Sequence, residues 1–305
     1  MLERPLFAPL VILFWLVMAG WLVTTKIAPT WSTGSPPVPV VSRDDRPGPV
    51  AWTVRWNGAA MGWAVAESRP AAAAGMTVEN RLHCENLDLG EVLPPWSSPL
   101  LRNLAPPRGT VSFDAWGRFT IEPTGRLRSF VSIVTMPGSQ DPLQLSGTVS
   151  GDTVHVHARA GSLAYDTSRR LPQRVTISDA LTPQATMPGL YEGRRWLQPV
   201  LNPLRTTQAA VEVLHAVVEP RETLYWDGQL VQAHVVAYRD DPTADRPPVC
   251  RLWVDQEGRV LRQEAALLGA RLTFERRSDA AAALLASALN HVHAPAPPFG
   301  PEPAP

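Results

Sequence analysis

The chain has 305 residues and a balanced charge, with 28 basic and 28 acidic residues. Because binding to nucleic acid requires a net basic face, this balance excludes nucleic acid as an expected partner. The 32 prolines and 20 glycines follow no period, and they require many turns.

The N-terminal segment contains an apolar run without a charge, from Leu6 to Val23. As a helix this run is about 27 Å long, close to the thickness of a hydrocarbon core of roughly 30 Å. It is longer than the apolar region of a secretory signal peptide, so we expect an uncleaved signal anchor over residues 1–29; cleavage near Ala28 is the alternative. Trp21 and Trp31 suit an aromatic belt at the membrane interface.

The orientation of this anchor is judged from the flanking positive charges. Arg4 and the free amine lie on one side of the run, and Lys26 and Arg43 lie on the other, so the distribution is nearly balanced. We expect a single-pass membrane protein with the N-terminus inside and the bulk of the chain in the periplasm, because the domain that follows is typical of a cell-envelope protein. A cytoplasmic domain behind an outward-facing N-terminus is the alternative.

Residues 30–49 are a Pro-rich linker, which favours an extended spacer. Alternation of apolar and polar residues then predicts strands joined by turns, among which Asn57-Gly58 is a strong hairpin signal. The predicted strands are residues 51–56, 60–66, 76–89, 110–115, 118–122, 127–136, 143–149, 153–158, 162–167, 174–178, 209–218, 222–226, 230–238, 250–254, 260–265 and 270–276. Trp116-Gly117 is predicted as a turn.

Four further segments interrupt or follow these strands. Residues 94–104 are expected to form a short helix or lid. Residues 179–207 are rich in proline but too apolar for a free linker, so we expect them to wrap across the sheet as a strap. Residues 279–292 have the composition of a short helix with Asp279 as its N-cap, and residues 293–305 are a disordered Pro-rich tail.

The order of these elements predicts an all-β class. Consecutive hairpins without a crossover helix imply one long antiparallel meander over residues 50–278, with one or two peripheral helices and one N-terminal transmembrane helix. A sheet of this length must twist and curl, which gives a half-barrel-like shape with a concave apolar face. We expect the strap and the C-terminal helix to cover that face.

The pattern of hairpins resembles envelope β-proteins of the lipoprotein-localisation-factor-like class. The resemblance is carried by the closing hairpin, with Leu252-Trp253-Val254-Asp255, Gly258 and Val260–Glu264, preceded by Trp226-Asp227-Gly228 and by Met187–Trp196. It would cover about residues 50–277. The resemblance implies a half-open β-barrel that holds a lipid or another hydrophobic chain, and it implies no catalytic residue. This chain departs from the class in lacking a lipobox.

Tryptophan is abundant, with eleven residues in the chain. Packing in the core is the ordinary role of each ring, and the alternative is that some rings line a cavity for an acyl or other apolar ligand. The candidates for such a cavity are Trp52, Trp56, Trp63, Trp196, Trp226 and Trp253. Trp52 and Trp56 are expected on one face of their strand.

The two cysteines, Cys84 and Cys250, are expected in an early and a late strand. They form either a possible disulfide, if those strands approach each other, or two buried free thiols. Neither has the spacing of a redox or zinc motif.

No sequence motif indicates catalysis, and we expect neither an enzyme nor a cofactor. His155 and His157 share one face of a strand and have the spacing of two metal ligands, but a third ligand is not evident, so a solvent-facing pair is the preferred interpretation. The acidic loop at Asp240, Asp241 and Asp245 lacks the glycine of a calcium loop. No metal site is expected.

Two hypotheses for function follow. The first is a membrane-tethered domain outside the cytoplasm that binds a lipid or another hydrophobic ligand without catalysis. The second is an interaction scaffold that docks a neighbouring membrane protein complex in the envelope through a sheet edge or the strap. Large residues inside the sheet would favour the scaffold, and small residues would favour a cavity.

Overall fold

The structure is a computed structural model of the chain. It describes residues 7–22, 34–37, 48–71, 75–88, 110–123, 126–137, 141–170, 176–177, 183–201, 211–267 and 270–290. The expected lid at 94–104 and the tail at 293–305 lie outside these ranges, as do most of the linker and part of the strap. Domain boundaries at those segments therefore stay predictions.

Helix α1 spans Phe7–Leu22 and has 16 residues, all of them uncharged. Its bulky side chains between Val11 and Met18 are 41–70 % exposed. Within the described ranges, none of the helices reaches the length and hydrophobicity that crossing a membrane requires.

The remaining described residues form one all-β domain built on a single sheet of fifteen strands. Every neighbouring pair is antiparallel except β9 and β10, which are parallel. The strands are β1 (Val50–Trp56), β2 (Ala59–Pro70), β3 (Met76–Asp88), β4 (Thr110–Ile121), β5 (Leu127–Thr135), β6 (Leu143–Ser150), β7 (Thr153–Ala160), β8 (Leu163–Arg170), β9 (Thr176–Ile177), β10 (Arg195–Leu201), β11 (Val211–Trp226), β12 (Gln229–Arg239), β13 (Cys250–Val254), β14 (Val260–Leu267) and β15 (Ala270–Arg276).

Three predicted features of the strands were wrong. Strand β4 continues through Trp116 and Gly117, which pair with residues of β3 and β5 and form no turn. The predicted strands 209–218 and 222–226 are one strand, β11, interrupted only by a bulge between Glu219 and Glu222. The region predicted as a strap contains β10, which pairs with β11 along its whole length.

The sheet consists of two meanders, β1 to β8 and β9 to β15, which are joined where β1 pairs with β15. It runs from β8 back to β1, then directly to β15 and back to β9. The junction is the antiparallel pair of β1 and β15, in which Trp52 lies opposite Arg276 and Val54 opposite Phe274. The two strands at the free edges, β8 and β9, are therefore consecutive along the chain.

This topology forces the sheet to curl. Fifteen strands about 4.8 Å apart would make a flat sheet roughly 67 Å wide. Only residues 171–175 separate the end of β8 from the start of β9, and a chain of that length spans at most about 20 Å. The two edges therefore lie close together although β8 and β9 are not hydrogen-bonded partners in the sheet order. The result is a barrel-like sheet that is not closed.

Alternation along the strands separates an inner from an outer face. We call inner the face that bears Trp52 and Val54, because it carries the clusters of buried apolar side chains from β1, β2, β3 and β15 and from β10 to β14. The outer face bears Thr53 and the residues that pair with it on the adjacent strands. It carries ion pairs such as Arg55 with Glu275 at 2.7 Å. The expected apolar concave face is the inner face.

Helix α2, Asp279–Asn290, lies on the outer face rather than over the concave face as expected. Ala282 and Ala286 pack against Ala51 and Val65, which alternate with the inner-face residues. The predicted N-cap was also wrong, because the Ser278 hydroxyl accepts the hydrogen bond from the Ala281 N–H. The Asp279 carboxylate instead pairs with Arg276 at 3.3 Å.

The close approach of β2 and β3 gives a test of this sheet. A Cβ at Gly62 would lie 1.9 Å from the backbone oxygen of His83, so Gly62→Ala should lower the free energy of unfolding by about 2–3 kcal/mol through overpacking. Urea denaturation measures this. Gly48 has no atom within 4 Å of the corresponding position, and Gly48→Ala is the matched control. Equal stability of both variants would contradict the pairing of β2 with β3.

Candidate functional site

Three of the six candidate tryptophans lie on the inner face. Trp52 is fully buried in the cluster that also contains Phe274 and Leu82, and Trp56 packs against the same cluster, which confirms that the two rings share a face. Trp196 lies further along the inner face and meets Tyr238 edge to face, with ring centroids 6.0 Å apart. These rings are packed together with other large side chains, so this half of the interior is filled.

The other three candidates lie elsewhere. Trp63 is on the outer face, where it stacks on His83 at 5.6 Å and packs against α2. Trp253 is also on the outer face and donates a hydrogen bond to Glu222 at 2.8 Å. Trp226 lies near the turn of the β11–β12 hairpin and donates to the backbone oxygen of Arg276 at 2.9 Å. Trp63 and Trp253 therefore do not line the interior.

A strap crosses the inner face, as the sequence predicts, and it is held mainly by its backbone. We define the strap as residues 183–190, which precede β10. The backbone oxygen of Ala185 accepts from the Val260 N–H at 3.1 Å, and the Met187 N–H donates to the oxygen of Gly258 at 2.7 Å. Ala185 packs on the cluster around Trp52, and Met187 packs on the cluster around Trp196. The strap therefore covers the filled half of the interior.

One row of the inner face across β2 to β5 has small side chains, with Ala66, Asn80, Gly117 and Ser132 side by side. The same face also bears Phe119 and Phe130, whose rings are stacked. A cavity of about 20 Å³ lies here, which is room for about one water molecule. Its lining includes Ala64, Asn80, Ala115, Gly117 and Ser132 together with Pro183 of the strap.

Polar groups without partners are concentrated on this inner face. The buried indole N–H groups of Trp52, Trp56 and Trp196 have no hydrogen-bond partner within the described part of the chain. The side-chain amide of Asn80 also lacks partners for both its nitrogen and its oxygen. Buried polar groups in native proteins are nearly always satisfied, by water or a ligand if not by protein. The interior therefore offers donors to a molecule that carries acceptor atoms.

Arg276 is the charged member of this set. It lies directly opposite Trp52 in the β1–β15 pair, and its side chain is only 6 % exposed. Burial lowers the pKa of its guanidinium, and the ion pair with Asp279 offsets part of that effect. One terminal nitrogen donates to the oxygen of Ala185 at 3.2 Å, while the Nε–H has no partner among the described residues.

Neither Asn80 nor Arg276 was among the sequence candidates. The alternation of Leu272, Phe274 and Arg276 in β15 places all three on one face, and this pattern was the available signal for a buried arginine. For Asn80 the alternation predicts the face of the sheet on which the side chain lies. It does not predict that the amide lacks hydrogen-bond partners, because this depends on the small residues beside it.

The two cysteines are free thiols, so the possible disulfide is not formed. Both lie on the inner face, but β3 and β13 are separated in the sheet by β2, β1, β15 and β14. Burial raises the pKa of each thiol to about 12.

The histidine pair lies on the outer face of β7. His155 is within hydrogen-bond distance of the Ser168 hydroxyl at 2.8 Å, and His157 contacts the Asp166 carboxylate. Across the described ranges, no group of three or more histidine, cysteine or acidic side chains is placed to hold a metal ion.

Comparisons with known proteins give little beyond the fold. No family model matches the chain, and no curated protein matches it. Among solved structures, it is similar to a β-barrel-like protein of a domain of unknown function, DUF1849, from Brucella abortus, with a TM-score of 0.44 and 10 % identity over 75 % of this chain and 95 % of that one. The resemblance to lipoprotein-localisation factors stays a prediction.

The burial of both thiols predicts their reactivity. Because the thiolate is the reactive form, Cys84 and Cys250 should not react with a thiol reagent at neutral pH in the folded protein. Both should react after unfolding in urea without a reducing agent. Titration with a chromogenic disulfide reagent measures this. Rapid reaction of either cysteine in the native state, or fewer than two thiols in urea, would contradict the structure.

Proposed function

We propose that this protein is a membrane-tethered β domain outside the cytoplasm whose inner face binds a lipid or another hydrophobic ligand without catalysing a reaction. The observation that carries the proposal is the composition of the inner face. It is apolar, but it contains buried N–H donors on Trp52, Asn80 and Arg276 that have no partner in the described residues. Ligand sites are typically apolar surfaces with a few convergent polar groups.

This arrangement suits a ligand with an apolar body and an oxygen-bearing group. The small side chains of Gly117 and Ser132 line the cavity that the apolar body would enlarge and enter. Ester or carboxylate oxygens would accept from the free donors. Because the cavity measures only about 20 Å³ and Pro183 lines it, binding requires Pro183, at the start of the strap, to move away from the inner face. Pro183 has no backbone N–H to hold it there.

The tether in this proposal is α1. The uncharged run from Leu6 to Val23 extends one residue beyond each end of the helix. A helix that is apolar on all sides is typical of a core or a membrane span, and the exposed bulky side chains of α1 favour the membrane. The resemblance to envelope lipid carriers favours a periplasmic location.

An envelope scaffold is the second candidate function. It is favoured by the filled half of the interior, where Trp52, Phe274 and Leu252 are all at most 2 % exposed. In this case the unpartnered donors would bind ordered water, and a partner protein would dock outside the barrel.

Filling the row of small side chains on the inner face tests ligand binding. Ser132→Leu adds bulk beside Asn80 and Gly117, and it should reduce crosslinking of a diazirine-bearing fatty acid to the full chain in phosphatidylcholine vesicles several-fold. Ser129 lies on the outer face of the same strand, opposite Thr148 and Thr120. Ser129→Leu is therefore the matched control, and thermal unfolding of each variant checks its fold. Equal crosslinking of both variants would contradict an inner-face site and favour the scaffold.

A further inference from the structure

An exposed aromatic and aliphatic pair lies near the turn of the β11–β12 hairpin. Tyr225 and Leu230 are direct cross-strand partners, so they share one face of the hairpin. Their exposed fractions are 71 % and 75 %, the highest of the bulky apolar residues in the described sheet. The two side chains support the hairpin as a cross-strand pair, and they also leave an exposed apolar patch at its end.

The hairpin projects beyond the neighbouring sheet. The pairing of β12 with β13 stops at His234 and Val254, whereas β12 continues to pair with β11 as far as Gln229 and Trp226. Five residues of β12 therefore extend past the end of β13. The pair Tyr225 and Leu230 lies on this projecting part.

The opposite face of the hairpin is fastened to the barrel. Trp226 donates to the backbone oxygen of Arg276 at 2.9 Å, and the Arg259 guanidinium lies 4.9 Å from the centroid of its ring. Arg259 is itself held by Asp255 at 2.7 Å, and that carboxylate is almost fully buried. The hairpin is therefore held in a fixed position, with Tyr225 and Leu230 exposed on the face opposite Trp226.

We call the end of the sheet with this hairpin turn the lower end. The β13–β14 turn belongs to it, because Trp226 contacts Arg259 of that turn. The N-terminal end of β10 also lies toward the lower end. Arg195 pairs with Val217, whereas Leu201 pairs with Val211, which is further from the hairpin turn.

The first described residues of the linker, 34–37, are attached to the start of β10. The Gly34 N–H donates to the backbone oxygen of Arg195 at 2.8 Å, and Arg194 donates to the oxygen of Ser35 at 3.0 Å. The bridge between Gly34 and Trp196 is parallel. Because β10 begins at its end nearer the hairpin turn, Gly34 lies beside that end, and residues 35–37 follow β10 away from it.

The length of the chain before Gly34 limits how far the helix can be. Eleven residues, 23–33, separate the end of α1 from Gly34. They span at most about 40 Å when fully extended. A membrane that holds α1 therefore lies within that reach of Gly34, which is bonded at the end of β10 nearer the hairpin turn.

We propose that Tyr225 and Leu230 of the β11–β12 hairpin contact the interfacial region of the phospholipid bilayer in which α1 is anchored. The proposal rests on the tether in the proposed function. Tyrosine suits this region because its ring is apolar and its hydroxyl remains hydrated. Asp227 in the turn keeps the hairpin at the level of the head groups, because burial of its charge in hydrocarbon is costly. The anchor keeps the hairpin at a high local concentration beside the bilayer, so a weak contact suffices.

The contact is tested with the full chain in vesicles of phosphatidylcholine and phosphatidylglycerol. A polarity-sensitive fluorophore is attached at Leu230→Cys and, in a second variant, at Tyr225→Cys. The native cysteines remain unlabelled because they are buried. The control is Leu284→Cys, since Leu284 is 73 % exposed on α2 at the side of the barrel. Lipids with a spin label near the head group serve as quenchers, and vesicle flotation reports on the anchor.

We expect the chain to float with the vesicles and the fluorophore at positions 225 and 230 to lose most of its emission to the quencher, with little loss at position 284. Flotation with equal, weak quenching at all three positions would overturn the hairpin contact while leaving the tether in place. Failure of the chain to float would overturn both the tether and the contact. Strong quenching at position 284 as well would show that the barrel lies on its side, which also overturns the proposed orientation.

Discussion

The pairing of β1 with β15 is the constraint on which the rest of the structure depends. It joins the first and last strands of the domain in the middle of the sheet, so the free edges fall at the midpoint of the chain. Since only residues 171–175 connect those edges, the sheet must curl, and the curl creates the inner face. The same pair sets Trp52 opposite Arg276, which brings a buried cation into an apolar interior.

Arg276 contacts three neighbouring segments, namely the strap, the projecting hairpin and α2. Its side chain donates to the strap at Ala185, and its backbone oxygen accepts from Trp226 of the projecting hairpin. It also pairs with Asp279 at the start of α2. The strap and the projecting hairpin therefore contact the same residue, one through its side chain and the other through its backbone oxygen.

The sequence predicted most strands, the strap and the shared face of Trp52 and Trp56, because alternation and turn residues are local signals. It predicted a turn at Trp116-Gly117 wrongly, since cross-strand pairing on both sides overrides the local preference of glycine. It could not separate inner from outer tryptophans, because Trp63 and Trp253 alternate as regularly as Trp52 does. The pairing of β1 with β15 joins residues more than two hundred positions apart, and no local pattern encodes it.

Native mass spectrometry of the full chain, released from membranes in mild detergent and followed by lipid extraction, tests the central claim most directly. We expect one lipid or other apolar molecule to be retained per chain, and we expect it to be lost when Ser132→Leu fills the inner face beside Asn80. Retention of the same molecule by that variant, or an unliganded mass for the original protein, would contradict a ligand site on the inner face.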